Sequence, residues 1–343
     1  MPLWLRLVLA AVCAMAVCFA VAPAVRSFAR RVGAIDSPDQ IRRVHSIPTP
    51  RLGGLAIFVG FLVGVLPFCP ISEPVQGILL GCILIVVTGS LDDLLSLPPW
   101  VKLLSQFAAA LVAVAHGVSI GVVTHPNWFV TKYVILNHLS LPITVLWIVG
   151  VTNAVNLIDG LDGLAVGVST ISSVTMLIVA LAVGESAEAA ILLAALAGAC
   201  VGFMPFNKNP ASLFMGDTGA LLLGYLLSTV SVLGLFKMYA VVTFAVPLLA
   251  LAVPLSDTIF AIIRRTLKGQ NPLLPDRGHL HHRLLDLGLS QKQAVAVLYA
   301  VSAILGLAAV VLTASGIVRY LLIIAAFAVA VTVWLFVFPR QKK

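Results

Sequence analysis

Charged residues are scarce along this chain of 343 residues, making up 10% of it against 61% hydrophobic residues. So little charge leaves no segment with the composition of a soluble domain. The five cysteines are scattered, with no Cys-x-x-Cys pair. They therefore indicate small apolar packing residues and exclude a disulfide framework or a thiolate metal site. Since no internal repeat or low-complexity segment divides the chain, the sequence predicts one integral membrane domain over 1–343.

Long apolar runs dominate the chain. Backbone polar groups inside a bilayer must be satisfied within their own segment, so a run of about 20 apolar residues becomes a spanning helix. A hairpin is also expected in the outside loop 118–138, where β-favouring residues flank Pro126-Asn127. We expect an all-α polytopic membrane protein with about eleven transmembrane helices, near 3–25, 52–70, 74–91, 100–117, 139–157, 164–183, 187–205, 218–235, 239–262, 295–313 and 317–338.

The basic residues are distributed unevenly between the two sets of alternate loops. Of the 21 Lys and Arg residues, 17 fall on one set and 4 on the other. Because short basic loops stay in the cytoplasm, the N-terminus is expected outside and the C-terminus in the cytoplasm. The net charge of +8 then reflects this rule and attraction to anionic lipid, without indicating nucleic-acid binding. An uncleaved first span is favoured over a signal peptide, because the arginines at 26, 30 and 31 outweigh Arg6.

Five polar clusters fall on the predicted inside face, and the first two carry carboxylates and amides at span ends. Asp92 and Asp93 are costly there unless a cation or a substrate uses them, although such a pair can also simply end a helix. The segment 153–164 places a polar residue at every third position. That spacing sweeps half of a helix circumference, so its glycines indicate a break that turns the side chains into a shared cleft. The alternative is a tight interhelical loop. The polar residues are Asn153, Asn156, Asp159 and Asp162.

The other three clusters add one further carboxylate and a group of cations. Within 206–219, Asp217 stands at a helix start, where it either caps the helix or binds a metal. Within 264–283, three histidines lie beside arginines without the ligands that would complete a zinc site, which indicates a phosphate-binding surface. The segment 42–54 is basic, rich in proline and ends in a glycine pair, and is the weakest signal.

Carboxylates for Mg²⁺ and cations for phosphates thus occur together on one membrane face. Phosphoryl transfer requires these parts, because its catalysis consists mainly of positioning and charge neutralisation. The sequence therefore predicts transfer of a phosphoryl-linked group to or from a lipid. The predicted active-site loops are 26–51, 92–99, 156–163, 206–217 and 263–294.

The five clusters, in this order, resemble the polyprenyl-phosphate N-acetylhexosamine-1-phosphate transferases of glycosyltransferase family 4. The resemblance covers nearly the whole chain, and its most specific parts are 153–164, Met215-Gly216-Asp217-Thr218-Gly219 and Pro275–His282. The last segment is similar to the N-acetylglucosamine-1-phosphate branch; the muramoyl-pentapeptide branch has an uninterrupted histidine run there. One departure is Ser96, where some relatives carry a third aspartate, so the first two carry whatever role that motif has.

The resemblance implies transfer of N-acetylglucosamine-1-phosphate from UDP-GlcNAc to polyprenyl (undecaprenyl) phosphate, with release of UMP. The implied setting is the cytoplasmic face of a bacterial inner membrane, as the first membrane step of a cell-envelope polysaccharide. The implied cofactor is Mg²⁺, with Mn²⁺ as a substitute, and the implied assembly is a homodimer. Either a one-step displacement or a two-step route through an aspartyl-phosphate fits the motifs.

Roles for individual residues follow from the same resemblance. Asp92 or Asp93 deprotonates or positions the lipid phosphate, which Lys102 and His45 contact. Asp217 and Asn156 hold the metal. The nucleotide and sugar are bound by Asn153, Asp159, Asp162, Asn207, Arg277, His279, His281 and His282.

Three alternatives stay open on the sequence alone. Two lie within the same family, namely the muramoyl-pentapeptide substrate and another UDP-N-acetylhexosamine, because contacts that no motif reveals can select a single epimer. The third is a secondary transporter. Transporters place charged groups near the bilayer midplane and are often built from repeats. Here the acidic clusters lie at span ends on one side and no repeat is found, which disfavours transport.

Overall fold

The structure is a computed structural model that describes residues 1–36, 48–124, 133–184, 186–234, 241–267 and 279–313. Within these ranges the chain is built from helices and two short strand pairs. The strands are β1 (Ile35–Asp36), β2 (Thr49–Pro50), β3 (Val122–Thr124) and β4 (Tyr133–Ile135). The helices are α1 (Leu3–Arg31), α2 (Gly54–Val65), α3 (Glu73–Leu95), α4 (Pro99–Ala115), α5 (Ser140–Ile158), α6 (Leu164–Val183), α7 (Ala187–Asn207), α8 (Gly216–Gly234), α9 (Val241–Ala250), α10 (Ala252–Leu267), α11 (Leu280–Asp286) and α12 (Gln291–Thr313).

The helical, multi-span architecture agrees with the prediction. In the described part of the chain, seven helices are long and apolar enough to cross a membrane, namely α1, α3, α5 with its preceding 3₁₀ turn, α6, α7, α8 and α12. Two further apolar helices, α2 and α4, are shorter. The total of eleven and the orientation stay predictions, and the last expected span, 317–338, lies outside the described residues.

The span predicted near 239–262 consists of two helices, α9 and α10, which divide at Leu251. Proline explains the division, since Pro254 has no N–H to donate to the carbonyl of Ala250. The hydroxyl of Ser172 in α6 donates to that carbonyl instead, at 2.5 Å. A neighbouring helix therefore satisfies the backbone group that the proline leaves open, as apolar surroundings require.

Helix α8 lies at the centre of the bundle, and every residue from Thr218 to Gly234 is buried. Three hydroxyl groups in its second half are satisfied inside the helix itself. Ser228 and Thr229 donate to the carbonyl of Tyr225 at 2.8 and 2.7 Å, and Ser231 donates to that of Ser228 at 2.6 Å. Small and polar residues can therefore line a fully buried helix without leaving an open hydrogen bond.

Both strand pairs are antiparallel. The pair β3–β4 matches Val123 with Val134 and forms the hairpin that was predicted for the loop 118–138. The pair β1–β2 joins the end of α1 to the start of α2. The cysteines are free thiols, four of them buried, as expected for packing residues.

Glycines let the start of α8 approach two other helices at backbone distance. A methyl group on Gly54 of α2 would overlap the backbone of Gly219, and one on Gly89 of α3 would overlap that of Thr218. A larger side chain at either position would separate these helices, because packed interiors leave no room for an added group.

We expect Gly54→Ala to destabilise the protein by about 1–3 kcal/mol, because the added methyl group overpacks the α2–α8 crossing. The measurement is thermal unfolding in detergent. Gly150→Ala in α5 is the matched control, since its methyl group would meet no atom within 4 Å. It should leave the unfolding temperature unchanged or raise it slightly, because alanine is the better helix former. Equal unfolding temperatures for Gly54→Ala and the wild type would contradict the tight crossing.

Candidate active site

A small cavity lies where the predicted inside loops meet at one end of the bundle. Its volume is about 160 Å³. Four of the five predicted active-site loops supply its wall. The lining residues are Asp36, Arg51, Asp93, Asp159, Gly160, Leu161, Asp162, Asn207, Phe214, Gly216 and Asp217.

Lys102, in the first turn of α4, joins two of the predicted carboxylates. Its Nζ lies 3.0 Å from Oδ2 of Asp92 and 2.8 Å from Oδ2 of Asp217. The other oxygen of Asp92 accepts the N–H of Leu97 at 2.7 Å, which fixes the turn between α3 and α4. One cation therefore holds together carboxylates from residues that are far apart in the sequence. The fold thus brings together three residues to which the resemblance gave separate roles, namely Asp92, Asp217 and Lys102.

Asp93 caps the start of α8 from the end of α3. Its Oδ1 accepts the N–H of Asp217 at 3.0 Å, and its Oδ2 accepts the N–H and hydroxyl of Thr218 at 3.1 and 2.6 Å. Gly216 precedes them with φ +68°, and a methyl group there would overlap the Asp93 carboxylate. A carboxylate in this position satisfies open backbone donors and interacts favourably with the helix dipole. Asp93 thereby sets the position of Asp217.

Arg51 belongs to this wall, although its segment, 42–54, was the weakest of the five signals in the sequence. Its Nε donates to the backbone carbonyl of Asp93 at 3.1 Å, and its guanidinium lies 3.7 Å from Asp36. Among the residues that the structure describes, Arg51 is the one cation that lines the cavity. The signal in the sequence was its place two residues before a glycine pair at a helix start. The backbone of Arg51 pairs with that of Phe214 there.

The loop after α5 forms the opposite wall and is tied to the loop after α7. Asn207 accepts the N–H of Gly163 at 3.1 Å and donates to the carbonyl of Leu213 at 3.2 Å. Asp162 accepts from the amide of Asn209 and from the N–H of Ala211, both at 3.0 Å. The break that was predicted from the two Asp-Gly pairs is present, because α5 ends at Ile158 and α6 begins at Leu164.

Asp159 lies on the wall of this carboxylate-rich cavity. Burial, together with the charges of Asp217, Asp93 and Asp162, raises the pKa of Asp159 well above its ordinary value. Like charges in a partly desolvated site disfavour the ionised form of each other. A cation placed in the cavity would relieve this repulsion.

The two asparagines of α5 are placed differently from the aspartates that follow them. Asn153 forms an amide pair with Gln106 of α4 and also donates to the carbonyl of Val149 at 2.9 Å. Asn156 lies in the last turn of α5 and does not line the cavity. The structure therefore places Asn153 between two helices, and brings neither asparagine onto the cavity wall.

The histidine segment lies behind the cavity wall. His279 lies 2.9 Å from Asp257, and the ring of His281 lies against Gly160. The rings of His279 and His281 are nearly parallel, with centroids 5.8 Å apart, and His282 is tilted against His281. Two of the predicted site residues, His45 and Arg277, lie outside the described residues.

Asp257 was missed at the sequence level. It is the one acidic residue within the span predicted near 239–262. An acidic residue inside an apolar span is itself a signal of function, and this one has a histidine partner. Asp257 lies outside the five polar clusters that the sequence singles out.

Comparison with known proteins identifies the family of the chain. The model of glycosyl transferase family 4 matches residues 75–235, from α3 to the end of α8. A probable undecaprenyl-phosphate N-acetylglucosaminyl 1-phosphate transferase of Bacillus subtilis (strain 168) is 41% identical over 321 residues, which covers 93% of this chain and 88% of the relative. The chain belongs to glycosyl transferase family 4.

Other relatives align over shorter parts of the chain. A decaprenyl-phosphate N-acetylglucosaminephosphotransferase of Mycolicibacterium smegmatis is 35% identical, covering 80% of this chain and 74% of the relative. A phospho-N-acetylmuramoyl-pentapeptide-transferase of Heliobacterium modesticaldum is 36% identical, covering 54% of this chain and 60% of the relative. Both branches that the sequence left open are therefore represented among the relatives.

The buried His281 predicts a pH dependence of stability. Burial, helped by the neighbouring His282, lowers the pKa of His281 to about 4. In the unfolded chain its pKa is near 6.5, so between these values the unfolded state binds more protons. The stability that neutral His281 contributes is therefore complete above pH 6.5 and is lost as the pH falls towards 4.

We expect wild-type protein to lose thermal stability more steeply between pH 6.5 and 4 than His281→Gln does. The measurement is the unfolding temperature in detergent across this range. The matched control is His138→Gln, because His138 is exposed at the far end of the bundle. Its profile should follow the wild type. Parallel profiles for wild type and His281→Gln would rule out a buried neutral imidazole.

Proposed function

We propose that this protein transfers N-acetylglucosamine-1-phosphate from UDP-GlcNAc to polyprenyl phosphate, releasing UMP as the first membrane step of a cell-envelope polysaccharide. The observation that carries the proposal is the acidic cavity beside Lys102, which lies between Asp92 and Asp217. The chain is also 41% identical to the Bacillus subtilis relative whose name, a probable undecaprenyl-phosphate N-acetylglucosaminyl 1-phosphate transferase, describes this reaction. The cavity offers carboxylate oxygens and the guanidinium of Arg51, and Lys102 binds Asp217 on its wall. Transfer between two phosphates requires such a combination of oxygen ligands and cations.

The sugar is assigned from the extent of the similarity and from the histidine segment. The Bacillus subtilis relative aligns over 93% of the chain, whereas the muramoyl-pentapeptide relatives of Heliobacterium and Thermotoga align over 54% and 73% at 36% and 34% identity. The interrupted segment Gly278-His279-Leu280-His281-His282 is also similar to the N-acetylglucosamine branch. Both observations support UDP-GlcNAc over the pentapeptide substrate.

The active site is proposed to face the cytoplasm, with eleven spans, the N-terminus outside and a single domain over 1–343. The ends of α3, α5 and α7 and the starts of α4, α6 and α8 all contribute to the cavity region, so the site lies at one end of the bundle. The basic loops belong to that same end, which supports the cytoplasmic assignment. The homodimer stays a prediction from the resemblance.

The residues of the cavity fit a divalent cation. In the described part of the chain, no three His, Cys, Asp or Glu side chains are spaced to hold a metal by themselves. Mg²⁺ at phosphoryl-transfer sites takes only one or two carboxylates and fills its other positions with water and substrate phosphates. We assign Asp217 and Asp159 as ligands, since both lie on the wall and Asp217 is the charge that acts most strongly on Asp159. When bound, Mg²⁺ would neutralise charge on the diphosphate.

Asn156, which the resemblance assigned to the metal, is a weaker candidate. It does not line the cavity, and it lies one turn before the break that carries Asp159. Manganese would suit the same carboxylate oxygens, so either ion is expected to support activity.

The chain's own residues supply the rest of the reaction. An oxygen of the lipid phosphate attacks the sugar-linked β-phosphorus, a new P–O bond forms, and the bond to the α-phosphate breaks so that UMP leaves. Lys102 neutralises the incoming lipid phosphate, and Asp92, which shares that ammonium group, accepts the proton of the phosphate. Arg51, which lies on the same wall as Asp93, neutralises the diphosphate.

The contacts of Asp93 support the one-step route. Both of its oxygens accept hydrogen bonds from the start of α8, and its side chain is buried. A carboxylate engaged in this way positions Asp217 and is a poor nucleophile until those bonds break. The direct displacement is therefore the mechanism we propose.

Purified protein in detergent, supplied with undecaprenyl phosphate and Mg²⁺, should release UMP from UDP-GlcNAc. It should not release UMP from UDP-GalNAc or UDP-MurNAc-pentapeptide, and EDTA should abolish the release. Asp217→Asn should lower kcat on the order of 10²-fold or more, because it removes a charge that acts in the transition state. Asp286→Asn is the matched control, since Asp286 is exposed on α11.

Two results would contradict the proposal. Release from the pentapeptide substrate alone would move the protein to the other branch, and no release from any sugar nucleotide by a folded protein would favour transport. Substantial activity of Asp217→Asn, with Asp286→Asn normal, would remove Asp217 from the metal site.

Arg51→Met should raise the KM for UDP-GlcNAc on the order of tenfold, because one charge-assisted contact to the diphosphate is lost. The KM for the lipid phosphate should stay unchanged. The KM of Arg51→Lys for UDP-GlcNAc should lie between those of the wild type and Arg51→Met, because lysine keeps the charge and lacks the planar guanidinium group. Arg6→Met is a matched control, because Arg6 also donates its Nε to a backbone carbonyl, that of Phe68, at 2.8 Å. An unchanged KM for UDP-GlcNAc in Arg51→Met would exclude the contact.

A further inference from the structure

Asp257 is a buried acid that no step of the proposed reaction uses. Its exposed fraction is 3%, and it lies in α10, away from the residues that line the cavity. A carboxylate in such a place is costly unless its oxygens are fully engaged. Both are engaged: Oδ2 lies 2.9 Å from Nδ1 of His279, and Oδ1 accepts the N–H of Leu280 at 2.8 Å. The two contacts fix the start of the histidine segment to α10.

His279, held by Asp257, stacks in turn against His281. The two rings are parallel within 4°, with centroids 5.8 Å apart, and both side chains are buried. His279 immediately precedes α11, so the Asp257 contacts also set where that short helix begins. A buried imidazole that is hydrogen-bonded at one nitrogen keeps a defined orientation.

His281 in turn packs against the cavity wall. A methyl group on Gly160 would overlap its imidazole ring, so the ring lies directly on the backbone of the loop. Gly160 is followed by Leu161 and Asp162, and all three line the cavity together with Asp159. The position of His281 therefore limits where this wall can lie.

We propose that Asp257 is a positioning residue for the sugar-nucleotide site, acting through His279 and His281 on the loop Asp159–Asp162. The proposal rests on the proposed function for its substrate, and on contacts alone for its structural part. Neither Asp257 nor His279 lines the cavity, so their role is to hold the wall in place. Small displacements of such a wall are costly, since a shift of about 1 Å can reduce turnover on the order of 10²-fold.

The test combines a measurement without substrate and one with it. Asp257→Ala should increase amide hydrogen exchange in the peptide that spans Asp159–Gly163, and leave the turn around Asp92 unchanged. It should raise the KM for UDP-GlcNAc on the order of tenfold or more, with the KM for the lipid phosphate unaffected. Asp257→Asn keeps the size of the side chain and one hydrogen-bond acceptor, so its effects on loop exchange and on this KM should be smaller than those of Asp257→Ala.

Two further variants keep the test decisive if Asp257→Ala folds poorly. Gly160→Ala should raise the same KM with the Asp257 pair intact, because the methyl group pushes the loop away from His281. The double variant Asp257→Ala/His279→Ala should have the same KM for UDP-GlcNAc as Asp257→Ala alone, because both residues act through the same series of contacts. Glu188→Gln is the matched control, because it weakens a hydrogen bond to Ser72 (2.9 Å) away from the cavity.

The outcomes separate the two proposals. If amide exchange of the loop increases in Asp257→Ala, the positioning role is supported. If the wild type also uses no sugar nucleotide, the proposed function is overturned while the positioning role stands. Unchanged loop exchange overturns the positioning role, whatever the activity. A uniform rise in exchange, with both KM values raised equally, also overturns it, because the residue would then only stabilise the fold.

Discussion

The hydrogen bonds from the first turn of α8 to the carboxylate of Asp93 hold the site together. They join the end of α3 to the start of the central helix, and they satisfy the N–H groups of Asp217 and Thr218. A cap of this kind contributes about 0.5–2 kcal/mol, and a charged acceptor places it toward the upper end. The contact needs Gly216, since any side chain there would occupy the space of the carboxylate. Asp217 therefore faces the cavity because Asp93 holds its backbone.

The charges of the site follow from this contact. Once α3 and α8 are joined, Asp92 and Asp217 come close enough to share Lys102, which offsets their repulsion. The remaining wall is acidic, with Arg51 as its counterpart on the β2 side. Such a cavity is unfavourable when empty of cations and suited to a metal-bound diphosphate. The repulsion among these carboxylates lowers the stability of the free protein and favours binding of the metal-bound diphosphate.

The sequence predicted which residues belong to the site better than it predicted which residues each of them contacts. The acids at span ends and the break at the Asp-Gly pairs could be predicted because they interrupt apolar runs. The cap of α8 could not, since Asp93 comes from 124 residues earlier in the chain. Asn153 matched the spacing of the cluster, yet it faces Gln106, because steps of three residues rotate around the helix. Asp257 was missed because its partner lies beyond a helix end.

The loop 159–163 is held on several sides by groups that have no obvious part in the chemistry. Asn207 bonds the N–H of Gly163, the hydroxyl of Tyr299 donates to its carbonyl at 2.5 Å, and His281 packs on Gly160. A loop carrying two aspartates would otherwise be driven outward by their mutual repulsion and their hydration. Several of the polar residues in the motifs are therefore needed to keep charge in place. A polar motif in a membrane enzyme includes the residues that hold the reacting groups as well as those groups themselves.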